Sequence, residues 1–302
     1  MISLRKPTRV VTLAGPSPCE VVIEASPVST AKAELGESPL WAEGVGLRWL
    51  DVAGQRLHTL DPDGTHSCVG LSTRVTAVEL GPGAELLAVT TNGFGWLDAE
   101  SGRVEQFADV VAAPVSMNDG GIDAKGRCWA GSAVRDGSRR GALYRLDGNG
   151  VTTHLEKLAM SNGIDWSPAG DELYHVDSTA GTVTAWEFHL DSGELDMPRL
   201  VRRLPDGPCL PDGLTVDESG DIWLAVWGSG QVWCIDPETG ETTAVVRVPA
   251  TCPTSCAFGG PNLSTLYITT ADTDGTGGLL YAAPVPARGL LPHRFSGGVP
   301  CA

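Results

Sequence analysis

The apolar positions of this chain fall in short runs without a sustained helical period. Within a run, hydrophobic residues alternate with polar ones or stand in brief blocks, and Gly, Pro, Asp and Asn separate the runs. This pattern predicts β-strands, because side chains of a strand point alternately to its two faces. Runs of this kind are Leu47–Val52, Leu86–Thr90, Cys128–Gly131, Glu172–Val176, Ile222–Val226 and Thr265–Thr269. The pattern predicts an all-β protein.

The runs recur as one module along the chain. Copies begin at or near Glu37, Thr76, Gly121, Gly163, Gly213 and Ser255. Each copy reads as an inner strand, a tight turn, a second strand and a third, and a unit of about 40–50 residues is typical of propeller blades. We predict a six-bladed β-propeller with about four antiparallel strands per blade, in a single domain of residues 1–302 whose residues 1–16 are a loose tail.

A further strand-like stretch, Cys19–Ala25, precedes the first copy of the module. We expect it to complete the last blade, so that the N-terminus latches the ring to the C-terminus. Closure of this kind removes the free edge that an open array of blades would expose.

The formal net charge is −16. A strongly acidic surface disfavours nucleic acid and anionic membranes as partners; it is compatible with attracting cations, and it also serves simple solubility. No stretch approaches the ~18 apolar residues of a membrane span, and the basic N-terminus lacks the apolar core of a signal peptide. We therefore expect a cytoplasmic protein that binds neither nucleic acid nor membrane.

Cysteine usage points to the same compartment. The eight cysteines include no C-x-x-C pair and no His partner at zinc-finger spacing. We expect reduced, mostly half-buried thiols. The alternative is a disulfide between Cys252 and Cys256, which are spaced C-x-x-x-C.

Four acidic or amide residues stand at the same point of four modules. They are Glu37, Asn118, Asn162 and Asp212. In a closed ring, equivalent positions at the start of the inner strands converge on the central axis. Carboxylate and amide oxygens are ligands that Ca²⁺, Mg²⁺ and Mn²⁺ prefer, and an open oxygen-rich site also accepts Zn²⁺. Each Asx-Gly pair taken alone indicates a turn, so the metal hypothesis depends on all four positions together.

Several motifs together resemble one known family. They are G-E-S-P-L-W, N-D-G-x-x-D-x-x-G-R-x-W-A-G, S-N-G-I-D-W, P-D-G-L-T-V-D-x-x-G-x-I-W-L-A and P-T-S-C-A-F-G-G-x-x-x-x-T-L-Y-I-T-T. In order and spacing, from about Glu34 to Tyr281, they resemble the senescence marker protein 30/gluconolactonase/luciferin-regenerating enzyme family, which includes regucalcin. The resemblance implies a six-bladed propeller with one catalytic divalent metal and, typically, hydrolysis of sugar lactones.

The resemblance also assigns roles to residues. It implies that Glu37, Asn162 and Asp212 bind the metal, and that Asp212 is the general base. Asn118 matches a residue that contacts the substrate or a metal-bound water. Calcium is the expected ion, with zinc, magnesium and manganese as alternatives.

Two departures affect the substrate pocket. Ser116 stands where lactonases of this family often carry an arginine that grips substrate hydroxyls, and Asp136 stands where they carry a longer acid. Arg135 or Arg139 could replace the missing cation, although their polar loop favours a solvated position. Asp119, next to Asn118, is interpreted as a turn carboxylate bonded to backbone amides.

We therefore expect a hydrolase that opens a sugar lactone with a metal-activated water, the lactone being its small-molecule partner. No nucleophilic serine lies in a G-x-S-x-G elbow, and His175 reads as a structural histidine. Two alternatives stay open. One is a calcium-binding or regulatory propeller without turnover, and the other is a metal-dependent esterase or phosphotriesterase.

Overall fold

Strands are the regular elements of this protein. The structure, a computed structural model, describes residues 21–134, 136 and 138–298. Two short strands come first, β1 (Val21–Glu24) and β2 (Ser26–Pro27). The part of the chain described contains no helix long and apolar enough to cross a membrane.

Twenty-three further strands follow in chain order. Blade I contains β3 (Gly36–Ala42), β4 (Gly46–Asp51), β5 (Arg56–Leu60) and β6 (His66–Gly70). Blade II contains β7 (Val75–Leu80), β8 (Leu86–Thr90), β9 (Gly93–Leu97) and β10 (Val104–Asp109). Blade III contains β11 (Ser116–Ile122), β12 (Cys128–Ala133), β13 (Gly141–Asp147) and β14 (Gly150–Leu158).

The second half of the chain repeats the arrangement. Blade IV contains β15 (Ser161–Trp166), β16 (Glu172–Asp177), β17 (Thr182–His189) and β18 (Glu194–Arg203). Blade V contains β19 (Leu210–Val216), β20 (Ile222–Trp227), β21 (Gln231–Ile235) and β22 (Thr242–Arg247). Blade VI contains β23 (Pro253–Gly259), β24 (Thr265–Thr270) and β25 (Tyr281–Pro284).

The blades close into a ring around their innermost strands. Each inner strand contacts the inner strand of the next blade, from β3 through β7, β11, β15 and β19 to β23, and β23 returns to β3. Within each blade the strands follow one another outward as antiparallel neighbours. The predicted six-bladed propeller is therefore confirmed.

The N-terminus closes the ring onto the last blade, as predicted, but through other residues than the prediction named. β1 runs parallel to β22 and adds a fifth strand to blade V, with Val21 opposite Ala244. β2 pairs antiparallel with β25 and supplies the fourth strand of blade VI. The expectation that Cys19–Ala25 completes the last blade is therefore wrong, because its described part pairs with blade V; Cys19 and Glu20 lie outside the described residues.

Buried aromatic side chains fill the spaces between blades. Trp129 and Trp223 are almost fully buried, and each indole nitrogen donates to an aspartate, Asp123 Oδ2 at 2.8 Å and Asp217 Oδ2 at 2.9 Å. The same aspartates accept backbone N–H groups of the turn that follows them. The repeated D-x-x-G-x-x-W sequence thus ties a turn to an interblade core, because a buried indole N–H needs an acceptor.

The C-terminal end of the described chain crosses the ring. At blade V, Gly289 forms a β-bridge with Asp217, and on the opposite side, at blade II, Arg294 bridges Leu80. We call residues 288–296 the crossing segment. It lies at the end of the channel where the inner strands finish, because Leu80 is the last residue of β7. Phe295, fully buried, anchors it in the core between blades II and III.

The described cysteines are free thiols. Cys252 and Cys256 are both buried but unlinked, Cys252 Sγ lying 3.3 Å from Thr273 Oγ1 and Cys256 Sγ donating to the Trp223 carbonyl at 3.2 Å. The expectation of free thiols is confirmed for the described cysteines, and the Cys252–Cys256 disulfide is not formed. The expectation that most are half-buried is wrong, because all of them except the exposed Cys68 are buried. Cys19 and Cys301 lie outside the described chain.

Candidate functional site

Every inner strand carries a break in register near its beginning. The breaks fall at Glu37/Leu40, Val75/Ala77, Met117/Gly120, Ser161/Ile164, Pro211/Leu214 and Pro253/Ser255. Such bulges leave one or two residues out of the ladder and redirect their side chains, and they occur often beside active sites. Thr76, Asn118, Asn162, Asp212 and Thr254 lie within five of the breaks, whereas in blade I Glu37 still pairs with Leu50 and comes directly before the break. We call this end of the channel the mouth.

Asn162 and Asp212 are in direct contact at the mouth. The Asn162 amide nitrogen donates to Asp212 Oδ1 and also to Ser178 Oγ, the latter at 3.1 Å. Both side chains are buried, with 8% and 7% exposure. Because Nδ2 of Asn162 is used by these two acceptors, its Oδ1 is the atom left to act as a ligand.

Asn118 is oriented by the next blade. Its Nδ2 donates to the backbone carbonyl of Ser161 at 2.9 Å. Ser161 is itself held by a buried contact of 2.7 Å between its hydroxyl and His175 Nε2. Burial lowers the pKa of His175 to about 4, so the imidazole is neutral at pH 7. The interpretation of His175 as a structural histidine agrees with this contact.

Glu37 lies near the beginning of β3 in blade I, on the far side of the ring from Asn162, and its Oε2 accepts the Ser38 N–H at 3.3 Å. The residue after it, Ser38, is buried and has a φ of 49°, an uncommon conformation for a residue other than glycine. Ser38 keeps it through two contacts with blade II, since its hydroxyl accepts the Val78 N–H at 2.9 Å and reaches the Val78 carbonyl at 3.4 Å. This turn of the backbone sets the direction of Glu37.

Thr76 and Thr254 hold the two remaining positions of the mouth, and sequence analysis did not single them out as site residues. The Thr76 hydroxyl donates to the Val89 carbonyl at 3.2 Å, and the Thr254 hydroxyl donates to the Gly36 carbonyl at 2.6 Å. Both hydroxyls thus donate their hydrogen bonds to backbone carbonyl groups. Aligning all six modules would have found both, because they occupy the same break in register.

The Asx-Gly pairs are not turns. Asn162-Gly163 and Asp212-Gly213 lie inside β15 and β19. A Cβ on Gly163 would lie 2.7 Å from the carbonyl oxygen of Asp212, and one on Gly213 would lie 2.8 Å from Ser255 Cα. The turn interpretation is therefore wrong for these pairs. Glycine is required because neighbouring inner strands approach closely at the axis.

The hydrogen bonds of the two expected substrate residues, Ser116 and Asp136, are to neighbouring residues of the chain rather than to Asn118, Asn162 or Asp212. The Ser116 hydroxyl donates to the Met117 carbonyl at 2.9 Å. Asp136 accepts hydrogen bonds within its own loop, from Arg140 Nη2 at 2.6 Å and from the Ser138 N–H at 2.9 Å. Arg139, about half exposed, lies 3.3 Å from Asp177 Oδ2 rather than being wholly solvated. Arg135 lies outside the described residues.

The turn interpretation is also wrong for Asp119, which lies inside β11, although its carboxylate does accept a backbone N–H, that of Gly120 at 2.8 Å. It also lines the channel below the mouth, where Glu79 of blade II and Asp165 of blade IV join it. Burial raises the pKa of Asp119 and of Asp165 to about 6, and burial with these two neighbours raises that of Glu79 further above its usual value. Sequence analysis missed Glu79 and Asp165, because neither belongs to a recurring Asx-Gly pair.

The donor atoms at the mouth fit a hard divalent cation. Asp212 contacts the Asn162 amide, and the amide nitrogens of Asn118 and Asn162 are hydrogen-bonded to protein acceptors; Glu37 begins the inner strand on the opposite side of the ring. The amide oxygens and the carboxylates are therefore the atoms that could act as ligands, and oxygen donors of this kind suit calcium.

A different group of residues, away from the mouth, brings three possible metal-ligand atoms close together. Atoms of Asp217, Asp221 and Cys234 lie within 4.8 Å of one another, the only such cluster of His, Cys, Asp and Glu in the described chain. Asp217, however, is bonded to Trp223 and to its turn.

Comparison with known proteins identifies the family. Residues 35–272 match the model described as the SMP-30/Gluconolactonase/LRE-like region. The chain belongs to this family. The match confirms the resemblance found in the motifs, and lactone hydrolysis is supported for the family as a whole.

Named relatives include lactonases and regucalcins. A Bacillus subtilis protein provisionally named sugar lactone lactonase YvrE is 32% identical over 295 residues, covering 93% of this chain and 100% of that protein. Pentonolactonase XacC of Haloferax volcanii is 33% identical, with 83% and 86% covered. Regucalcin of Xenopus laevis is 30% identical, with 87% and 95% covered.

Solved structures share the fold. A calcium-binding protein, regucalcin, from Agrobacterium tumefaciens superposes with a TM-score of 0.84 at 23% identity, covering 91% of this chain and 99% of that one. A luciferin-regenerating enzyme superposes with a TM-score of 0.80 at 24% identity, covering 88% and 96%. At these identities the likeness shows the propeller itself.

Proposed function

We propose that this protein is a metal-dependent hydrolase that opens a sugar lactone. Glu37, Asn162 and Asp212 would hold one divalent cation at the mouth, calcium first, with zinc, magnesium and manganese as alternatives. The observation that carries the proposal is the contact between Asn162 and Asp212, which come from different blades and meet at equivalent breaks in register. We also propose a cytoplasmic location.

Each residue at the mouth has a part in the proposed reaction. When bound, the cation would supply a Lewis acid that polarises the lactone carbonyl and lowers the pKa of water. Asp212 takes the proton of the attacking water through its carboxylate. Asn118, held by the Ser161 carbonyl, presents its Oδ1 to the substrate or to a bound water. Asn162 keeps Asp212 in place through its amide nitrogen.

The substrate pocket differs from that of a typical gluconolactonase. Ser116 offers a hydroxyl where a guanidinium is common in the family, and Asp136 is bonded to Arg140. We therefore propose a lactone whose hydroxyl pattern does not require an arginine at this point. The relatives named lactonases support the reaction class rather than one particular sugar.

The test is hydrolysis of a panel of aldonolactones by chelator-treated protein, with each metal restored in turn and turnover followed by pH-stat. Wild type should hydrolyse at least one lactone only after metal is restored. Asp212→Asn should lose about 100- to 10,000-fold of that rate, the usual contribution of a general base. Asp206→Asn is the matched control, because it changes an exposed aspartate in the loop that leads into β19.

Full turnover by metal-free protein, or by the Asp212→Asn variant, would contradict the proposal. The panel also includes phosphotriesters and simple esters, which test the esterase alternative. Some relatives are named regucalcin, so a calcium-binding role without turnover is the second candidate. Calcium binding that requires Asp212, with no hydrolysis of any substrate in the panel, would favour that role.

A further inference from the structure

The channel below the mouth contains a cavity of about 230 Å³. Its upper wall includes Ser38 and Ser255, and its floor is formed by Leu290 to His293 of the crossing segment. Trp41 and Trp166 form part of its sides. The cavity is distinct from the four oxygen-bearing positions of the mouth, none of which lines it.

Three carboxylates from three successive blades face this cavity: Glu79, Asp119 and Asp165. Asp165 is well supplied with donors, since it accepts the Trp166 and Val216 N–H groups, both at 2.8 Å. Glu79 is different. It is only 9% exposed, and no described residue gives it a hydrogen bond or an ion pair.

No lysine or arginine of the described chain lines the cavity. A buried carboxylate without a partner costs several kcal/mol, and two others nearby add repulsion. A cation with its own water shell satisfies both the charge and the hydrogen bonding.

We propose that this cavity is a second divalent-cation site, in which Glu79, Asp119 and Asp165 hold a partly hydrated calcium ion. Oxygen-only donors select a hard cation. The three carboxylates do not all have oxygens within 4.8 Å of one another, which is about the span across a calcium ion. The ion is therefore bound directly by at most two of them and reaches the third through water.

The volume suits a hydrated ion. A water molecule takes about 30 Å³ of liquid, so a cavity of about 230 Å³ holds an ion with several waters. Asp119 and Asn118 are consecutive residues in the break in register of β11. An ion bound by Asp119 therefore steadies the backbone that presents Asn118 to the mouth.

The test counts ions. Chelator-treated protein is titrated with calcium, and stoichiometry is measured by calorimetry and native mass spectrometry. Wild type should bind two ions per chain. Glu79→Gln should keep the mouth ion and lose the channel ion, or weaken its binding by at least about tenfold. Asp212→Asn should lose the mouth ion and keep the channel ion, and the double variant should bind no calcium. Glu105→Gln, at an exposed residue of β10, is the matched control.

A second measurement identifies the place. Tb³⁺ bound in the cavity lies beside Trp41 and Trp166, so tryptophan-sensitised luminescence should fall strongly in Glu79→Gln and persist in Asp212→Asn. Asp165→Asn serves as the second variant if Glu79→Gln fails to fold, as judged by circular dichroism. One ion in wild type and none in Asp212→Asn overturns the channel site alone. Two ions in a folded Glu79→Gln also overturn it, whatever the outcome of the lactone assay.

Discussion

At the scale of single residues, the mouth depends on a buried polar pair that touches no substrate. Ser161 and His175 are hydrogen-bonded and almost fully buried. Ser161 packs against Gly131 of blade III so closely that a Cβ there would lie 1.9 Å from its hydroxyl. The Ser161 carbonyl in turn holds Asn118. The pair fixes the position of Asn118 relative to blade IV.

The low pKa of His175 predicts a dependence of stability on pH. His175 has a folded pKa of about 4, below its unfolded value of about 6.5, so the unfolded state binds the proton more readily. The contribution of the neutral imidazole to the free energy of unfolding is fully present above pH ~6.5 and is lost as the pH falls towards 4. The free energy of unfolding of wild type relative to His175→Gln should fall by about 3 kcal/mol over this range.

Urea unfolding between pH 7 and pH 4 measures this difference. The comparison with the variant is essential, because Asp119 and Asp165, with raised pKa values of about 6, act in the opposite sense in the same range. His189→Gln is the control, since His189 is exposed on β17. A wild-type advantage over His175→Gln that is constant with pH would show the inferred role to be wrong.

The four oxygen-bearing positions could be predicted from the sequence, but the residues that hold them in place could not. Glu37, Asn118, Asn162 and Asp212 are visible because they recur in the module. The Ser161–His175 pair has no such signal, because it depends on how β15 and β16 are paired. His175 lies opposite Ile164, and only the break in register brings Ser161 within reach.

At the scale of elements, the strands of the blades followed from local pattern, and the N-terminal strands did not. Each predicted run matches the second strand of a blade, as Ile222–Val226 matches β20, where both faces are buried; only Val52 lies one residue beyond its strand, β4. β1 also has a strand-like sequence, but its sequence does not say which sheet edge it joins. β2 has only two residues, too few to form a pattern.

The two N-terminal strands should contribute measurably to stability. Deletion of residues 1–27 removes β1 and β2 and exposes the edges of β22 and β25. Compared with deletion of residues 1–20, which leaves both strands, it should lower the melting temperature by about 5 °C or more, or about 2 kcal/mol. It should also increase association at high concentration, because free strand edges pair with other chains.

Calorimetry and light scattering on the two deletions check this prediction. Equal melting temperatures and equal scattering would mean that β1 and β2 add nothing to the closure of the ring.

At the scale of the whole molecule, the crossing segment joins opposite sides of the ring. Its sequence, R-G-L-L-P-H-R-F-S, has neither alternation nor a helical period, so no local pattern indicates its position. The position is set by tertiary contacts: Glu218 N–H donates to the Arg288 carbonyl at 2.8 Å, and Phe295 N–H donates to the Leu80 carbonyl at 2.8 Å.

Phe295 should carry most of the stabilisation of this segment. Its ring is fully buried and meets Trp96 edge-on at 5.9 Å. Phe295→Ala should lower the free energy of unfolding by about 3–5 kcal/mol, the usual cost of removing a buried aromatic ring. Leu291→Ala, at a half-exposed position of the same segment, should cost about 0.5 kcal/mol or less. Equal losses in denaturant titrations would contradict this account of the anchor.

The crossing segment spans the end of the channel that lies away from the mouth. In the proposed reaction substrate and product would both pass through the mouth, so each turnover would wait for the previous product to leave, and product is expected to compete with substrate for entry. The crossing segment would also prevent a long polymer from passing through the channel. The geometry therefore favours compact molecules that enter and depart by the same route.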